Sequence, residues 1–453
     1  MKSRDCYRRS TGRQLGVIDP ARKGEFLERS AEILGGELIP ASRIDGKGDF
    51  MKLVEGKNIH FETLDIVSLV RPNARARPYF TYVEPDLIRA STGPTPIGDP
   101  GCTPPNGDGS QPPNGGGSTP PTGGGCSPPS AAESAPPTEA ESSPPADGES
   151  APPDESDSPP ASSQCFQDDA ASAWGIKATL GNATATGAGV RVALLDAGLD
   201  FDHEAFRGRA FSRISFVDGE VEDDEYGHGT ACASIICGQP EANGRRIGVA
   251  PGVDLVVVKI FDEAEESPDT RTLAAINWAL AHGCKIISMS IGERVDASEP
   301  YSDVFETTAK AALDNHNALL VAGTGNDSCR SNDEFRAVNH PANCPSVLAV
   351  GAIDNCAAMA DFSNRELPPG GDVNLVAPGV LVRVANARAV SNLYSLRDGT
   401  SFAVPFVSGI AALWMESAGL DGVALWNKLQ ATVNPLSAAL PKEDKGFGLV
   451  QGP

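Results

Sequence analysis

The chain has 453 residues and a formal net charge of −23 at pH 7. That length allows two domains, or one large domain with appendages, and the acidity argues against nucleic acid and anionic membranes as partners. Part of the charge is local. No Lys or Arg occurs between Arg89 and Lys177 while acids recur there, so the excess partly describes a tail rather than a binding face.

Residues 1–90 read as a small α+β unit. Glu25 to Ile33 has helical spacing, with Phe26, Leu27, Ala31 and Ile33 apolar. Leu64 to Val70 partly alternates and is rich in β-branched residues, which predicts a strand, and Tyr79 to Val83 predicts another. The basic N-terminus is followed by no apolar h-region, so no signal peptide is expected. The default location is then cytoplasmic, with secretion by another route as the alternative. No apolar run approaches the length of a membrane span.

Residues 91–165 are low-complexity Pro, Gly, Ser and acid. Such a composition cannot bury enough apolar surface to order itself, so a disordered linker is expected. A flexible chain of that length has an end-to-end distance of about 45–50 Å. The ten cysteines contain no CxxC pair, which argues against structural zinc. Cys329 and Cys344 bracket one predicted loop. They could be joined in an oxidising compartment and would stay thiols in a reducing one.

Residues 166–453 change character. Strands are predicted at Val190–Leu195, Leu255–Phe261, Lys285–Ile291, Ala318–Ala322 and Val347–Ile353. Helices are predicted at His228–Cys237, Thr272–His282 and Val304–Asn315, and again from Ser401 and from Val423. Short apolar strands interleaved with amphipathic helices imply an α/β domain whose parallel sheet is covered on both faces. In such sheets the site lies beyond the carboxyl ends of the strands.

Four chemically capable side chains fall at those ends. Asp196 closes the first strand of the domain. His228 begins a helix between Gly227 and Gly229, which let another chain approach. Asn326 follows the strand ending near Gly325. Ser401 lies in Gly399-Thr-Ser-Phe-Ala-Val-Pro405, where a small-residue turn runs into an apolar helix. Thr400 suits the N-cap, so Ser401 is expected as the first helical residue, with an amide that has no intrahelical partner. Pro405 has no N–H, so the carbonyl of Ser401 should lack its ordinary helical bond. Singly, each residue has a bland reading: a strand-end turn former, a first-turn helix residue, a loop amide, a capped core helix. Jointly they are what acyl transfer by an activated serine requires.

From Trp174 to the end, about 280 residues, the chain resembles the subtilisin-like serine peptidases, the subtilases. The motifs Val192-Ala-Leu-Leu-Asp-Ala-Gly-Leu-Asp200, His228-Gly-Thr-Ala-Cys-Ala-Ser234 and Gly399-Thr-Ser-Phe-Ala-Val-Pro405 stand in the family's order, Asp, His, Ser. Ser288-Met-Ser-Ile-Gly292, Gly325-Asn326, Ala349-Val-Gly351, Ala377-Pro-Gly379 and Gly446-Phe-Gly-Leu449 agree. The resemblance implies a three-layer α/β fold with a mostly parallel central sheet, and serine endopeptidase activity on proteins or peptides. It implies Asp196, His228 and Ser401 as catalytic residues, with Asn326 and the Ser401 amide holding the oxyanion. Ser290, Ile291 and Gly292 match the strand that pairs with substrate backbone. Gly323, Thr324 and Gly325 match a wall of the pocket for the residue before the cut, and Asn339 lines up with its floor.

The chain also departs from the family. Ala231 stands where a second His often follows. Cys232 stands where the proteinase K branch has a buried thiol, and it reads best as a small core hydrophobe. Ala205 replaces an Asp ligand of the calcium-binding subtilisins, and Gly238 to Arg246 lacks an acid-rich run. No calcium site, other metal or cofactor is therefore expected, and Asp200 and Asp202 read as a solvated turn.

Tyr79-Phe-Thr-Tyr-Val-Glu-Pro-Asp86 resembles the end of the family's propeptide, whose last strand often closes with Val-Glu-x-Asp. This implies that residues 1–90 inhibit in cis and that cutting the linker activates; an unrelated interaction domain is the alternative. Two other readings compete with a peptidase: a relative that binds peptides without cutting them, and an esterase. Retention of all four site residues argues against the first. The substrate-pairing strand and the lack of a Gly-x-Ser-x-Gly elbow argue against the second.

Overall fold

The computed structural model describes residues 10–34, 36–41, 57–64, 66–70, 76–91, 165–181, 184–387 and 392–453. Apart from its end residues 91 and 165, the expected linker lies outside them. All the described residues but Cys165 belong to one compact unit.

Five strands come first among the described residues: β1 (Ser10–Ile18), β2 (Leu38–Pro40), β3 (Asn58–Phe61), β4 (Ile66–Leu69) and β5 (Phe80–Ser91), with a helix at Lys23–Leu34. Side chains alternate across a strand, and this sorts the apolar residues to two faces. Ile18, Val67, Leu69 and Phe80 turn to one face, where they pack with Phe26, Ile33 and Leu34 of the helix. Leu15, Val17, Ile59, Phe61 and Ile66 turn to the other and join the main core of the molecule. The N-terminal sheet thus buries its second face against residues far along the chain. The expected α+β unit is present, and the strand expected at Tyr79–Val83 is the start of the twelve-residue β5.

Thirteen further strands follow among the described residues: β6 (Arg191–Asp196), β7 (Ser212–Ser215), β8 (Asp254–Lys259), β9 (Glu266–Pro268), β10 (Ile286–Met289), β11 (Ile291–Gly292), β12 (Leu319–Gly323), β13 (Val347–Ile353), β14 (Leu375–Pro378), β15 (Val382–Ala385), β16 (Tyr394–Arg397), β17 (Val433–Asn434) and β18 (Leu449–Val450). Nine form the central sheet in the order β17-β18-β14-β13-β12-β10-β6-β8-β7. Every pairing in it is parallel except β17 with β18. Strands β10, β12, β13 and β14 are buried at every residue, the pattern of a sheet covered on both sides. This is the expected three-layer α/β architecture.

One predicted strand, Lys285–Ile291, divides. Ile286–Met289 stays in the central sheet, while Ile291–Gly292 leaves it to pair with β5. On its other side β5 pairs with β9, so β5 runs between two short strands of the later domain. The registers are Ile291↔Ser91 and Gly292↔Ala90 on one side, and Pro268↔Ile88, Ser267↔Arg89 and Glu266↔Ala90 on the other.

Two helix starts close this contact. First-turn amides of a helix have no partner within it. At the helix Asp269–Ala281, Asp86 of β5 accepts from the Thr270 amide at 2.8 Å and from its hydroxyl at 2.6 Å. At the helix Asp303–His316, the N-cap Ser302 accepts from the Phe305 amide and donates to Glu84 of β5. Two carboxylates of one strand thereby hold two helices that lie far along the chain.

The helix Thr400–Ala418 passes through the core, buried from Thr400 to Leu413. By length and mean hydropathy it alone among the described helices could cross a bilayer, which the sequence reading did not anticipate. The helix also starts one residue earlier than expected. Gly399 takes the N-cap position, and Thr400 is helical. The Thr400 hydroxyl is engaged elsewhere, as described below.

Candidate active site

Asp196 is the last residue of β6 and is buried. Its Oδ1 accepts from Nδ1 of His228 at 2.8 Å and from the Ala197 amide at 2.8 Å. His228 is the first residue of its helix, and the close approach to β6 depends on Gly229. A Cβ there would stand 2.1 Å from the Gly198 carbonyl oxygen, a distance no real contact allows. Asp224 anchors the helix start, accepting from the amides of Gly227 and Thr230 at 2.8 Å each. Buried Lys259, at the end of β8, donates to the carbonyls of Ala197 and Asp223 and so pins the turn beyond Asp196.

Ser401 is held from two sides. Pro405 lies inside its helix and supplies no N–H. The Ser401 carbonyl accepts instead from the Ser290 hydroxyl at 2.9 Å, with the Cys232 sulfur 3.6 Å away. One residue earlier, Oδ1 of Asn326 accepts from the Thr400 amide at 2.8 Å and from its hydroxyl at 3.0 Å. That pair of bonds fixes the orientation of the Asn326 amide relative to the Ser401 helix. The Phe402 ring lies 5.7 Å from the His228 ring. Asp196, His228, Cys232, Ser290 and Ser401 thus form one connected set, joined to Asn326 through Thr400.

Burial by itself pushes the His228 imidazolium toward losing its proton. The Asp196 carboxylate and, after it, the Cys232 sulfur together outweigh that effect, and the pKa is raised well above the ordinary 6.5. Nε2 of His228 has no hydrogen-bond partner among the described residues. Cys232 lies 3.9 Å from Nδ1, and burial pushes its thiol up. Asp196, His228 and Cys232 offer ligand atoms within 4.8 Å of one another. A thiol kept protonated is a poor metal ligand, however, and Nδ1 is already bonded to the carboxylate.

Gly323, Thr324 and Gly325 follow at the end of β12. Gly325 has φ +106, and a Cβ there would come within 2.4 Å of the side-chain amides of both Asn339 and Asn364. Asn339 is buried beneath it. Its Nδ2 donates to Asp327 at 2.8 Å and its Oδ1 accepts from Asn364 at 3.1 Å. The Asn339 side chain is therefore fixed by its neighbours, and Asp327 and Asn364 belong to the same cluster. Ile291 and Gly292 form β11, already occupied by β5, with Ser290 just before them.

Sequence reading did not single out Asp224, Lys259, Asp327 or Asn364, because each acts on residues brought near by the fold rather than by spacing. Among the cysteines, Cys329 and Cys344 are buried in different surroundings. Cys329 lies near Asp361, and Cys344 near the Ser302 carbonyl. Cys165 and Cys356, not singled out before, each take part in a disulfide bond.

Residues 187–448 match the family model described as Subtilase family. The chain is 31% identical over 255 residues to Subtilisin DY of Bacillus licheniformis, covering 55% of this chain and 85% of that protein. It is 32% identical over 265 residues to Subtilisin-like protease 2 of Pseudogymnoascus destructans, covering 55% of this chain and 60% of the relative. Against Subtilisin-like protease 1 of the same organism it is 32% identical, covering 54% of the relative. The chain thus spans little more than half the length of the last two. The solved structure of the prenylagaramide maturation protease PagA is 29% identical, with 58% of this chain and 90% of that one covered and a TM-score of 0.48.

Proposed function

The chain belongs to the subtilase family, and we propose that it is a serine endopeptidase that cleaves proteins or peptides through an acyl-enzyme on Ser401. The observation that carries the reading is the bond between His228 Nδ1 and Asp196, beside the start of the helix that bears Ser401. With Nδ1–H held by the carboxylate, neutral His228 has Nε2 as its basic atom. Ser401 Oγ attacks the scissile carbonyl while His228 Nε2 takes the hydroxyl proton. Asp196 stabilises the imidazolium so formed. The charge on the former carbonyl oxygen goes to the Asn326 side-chain amide and the Ser401 backbone N–H. His228 then returns the proton to the leaving amine, and water repeats the sequence to free Ser401.

Ser290 to Gly292 pair with substrate backbone in this reading, while Gly323 to Gly325 and Asn339 bound the pocket for the residue before the cut. Residues 1–90 act as a cis inhibitor, 91–165 as its tether and 166–453 as the catalytic domain. The pairing of β5 with β9 and β11 supports the inhibitory role, because an extended strand in that place excludes a substrate strand. Cutting the tether lowers the inhibitor's effective concentration and activates the enzyme. A fluorophosphonate that labels Ser401 in the cut chain supports an activated nucleophile; absence of label removes the peptidase reading.

A further inference from the structure

The strand β5 carries one charged side chain into the contact with β9 and β11. Arg89 is 7% exposed there. Its Nε and Nη2 meet the two oxygens of Asp269 at 2.8 and 2.9 Å, and its Nη1 pairs with Glu293. Asp269 is the fully buried first residue of its helix. Burial pushes its carboxyl up to about 6, even against the pull of Arg89. Glu293 follows β11, and its backbone exchanges hydrogen bonds with His340 in both directions. Both acids therefore stand on rigid elements of the main domain, and the arginine between them comes from the N-terminal segment.

The backbone of β5 is held by strand pairing, which is indifferent to side chains, so a substrate strand can take the same place. Its direction is set by the antiparallel register. Ser91 pairs with Ile291, and the next residue back along that segment is Ser290, which bonds the Ser401 carbonyl. A chain lying as β5 does approaches Ser401 with its C-terminal end, and residues at the Arg89 register belong to the acyl side of the bond cut.

We propose that Asp269 and Glu293 form a specificity subsite that selects an arginine side chain upstream of the scissile bond. The proposal rests on the peptidase reading above. Departure of Arg89 leaves two carboxylates facing one space, one of them buried, and a cation from substrate restores their pairing. The two bonds to Asp269 and the third to Glu293 use the planar fork of a guanidinium. Lysine offers a single ammonium point, so the site prefers arginine to lysine. Residues 1–90 occupy it with the same chemistry that the enzyme seeks in substrates.

The test uses the full chain cut within the linker, with active enzyme counted by fluorophosphonate titration of Ser401. Peptides carry an arginine moved residue by residue along the acyl side, each matched to lysine and glutamine versions. At one position arginine should raise kcat/KM about a hundredfold over glutamine, with lysine between them. Asp269→Asn and Glu293→Gln should each lower that ratio about tenfold. Equal cleavage of arginine and glutamine peptides at every position, by enzyme whose Ser401 labels, overturns the subsite and leaves the peptidase standing. No cleavage and no label removes the peptidase reading and the subsite with it.

Discussion

The Ser290 hydroxyl donates to the Ser401 carbonyl at 2.9 Å. This bond joins the start of the core helix to the residue just before β11, the strand that β5 occupies. It exists because Pro405 leaves that carbonyl without a helical donor. In the proposed peptidase, nucleophile and substrate strand are thereby placed relative to each other by one side chain.

Ser290→Ala removes that donor from a buried carbonyl beside the weak Cys232 thiol. The expected cost is about 1–3 kcal/mol in stability, with turnover reduced about tenfold as the Ser401 backbone shifts. Thermal unfolding and kcat on one peptide check both. Unchanged kcat would mean that the bond does not position the nucleophile.

The pH profile follows from His228. A protonated imidazole cannot act as base, so activity is low below its pKa and rises as pH passes through it. Asp196 holds that pKa well above 6.5, and the midpoint of kcat/KM should lie above that value. Asp196→Asn removes the largest cause of the rise and leaves burial, the largest lowering effect, less opposed. Its midpoint should therefore move to lower pH while the rate falls by about ten-thousandfold. Rate measurements with chemistry limiting check the shift, and a midpoint that stays in place contradicts the role given to Asp196.

Asp86 bonds the Thr270 amide and hydroxyl and also accepts from the Thr11 hydroxyl at 2.6 Å. In Asp86→Ala the buried Thr270 amide and hydroxyl lose this acceptor, and the hold of residues 1–90 on the rest of the chain should weaken by about 2–5 kcal/mol. The uncut chain should then show more peptidase activity than uncut wild type. Equal activity of the two would argue that this segment does not inhibit.

The sequence made some of these features legible and hid others. The helix His228–Cys237 was readable to its end residues, because glycines flank an unbroken run of small and apolar residues. The strand β13 was equally clear, being apolar throughout and buried at every position. Strands β9 and β11 have two or three residues each and exist through pairing with β5, far earlier in the chain. No local pattern marks β9, and β11 was marked through the motif Ser288-Met-Ser-Ile-Gly292 rather than by apolar alternation. Thr400 was misread as an N-cap because its residue type favours that place, whereas its hydroxyl bonds Asn326, 74 positions away. Asp196, His228, Asn326 and Ser401 stood out through motif and chain order. The acids around Arg89 did not, since Asp269, Glu293 and Arg89 come from three separate segments.

Ser401 carries the proposed chemistry most directly. After cleavage in the linker, the wild-type chain and Ser401→Ala are each treated with a fluorophosphonate and assayed on a peptide library. Wild type should label at Ser401 and cut peptides, while the alanine variant should do neither and unfold at a similar temperature. Peptide cleavage at the wild-type rate by Ser401→Ala would contradict the assignment of the nucleophile.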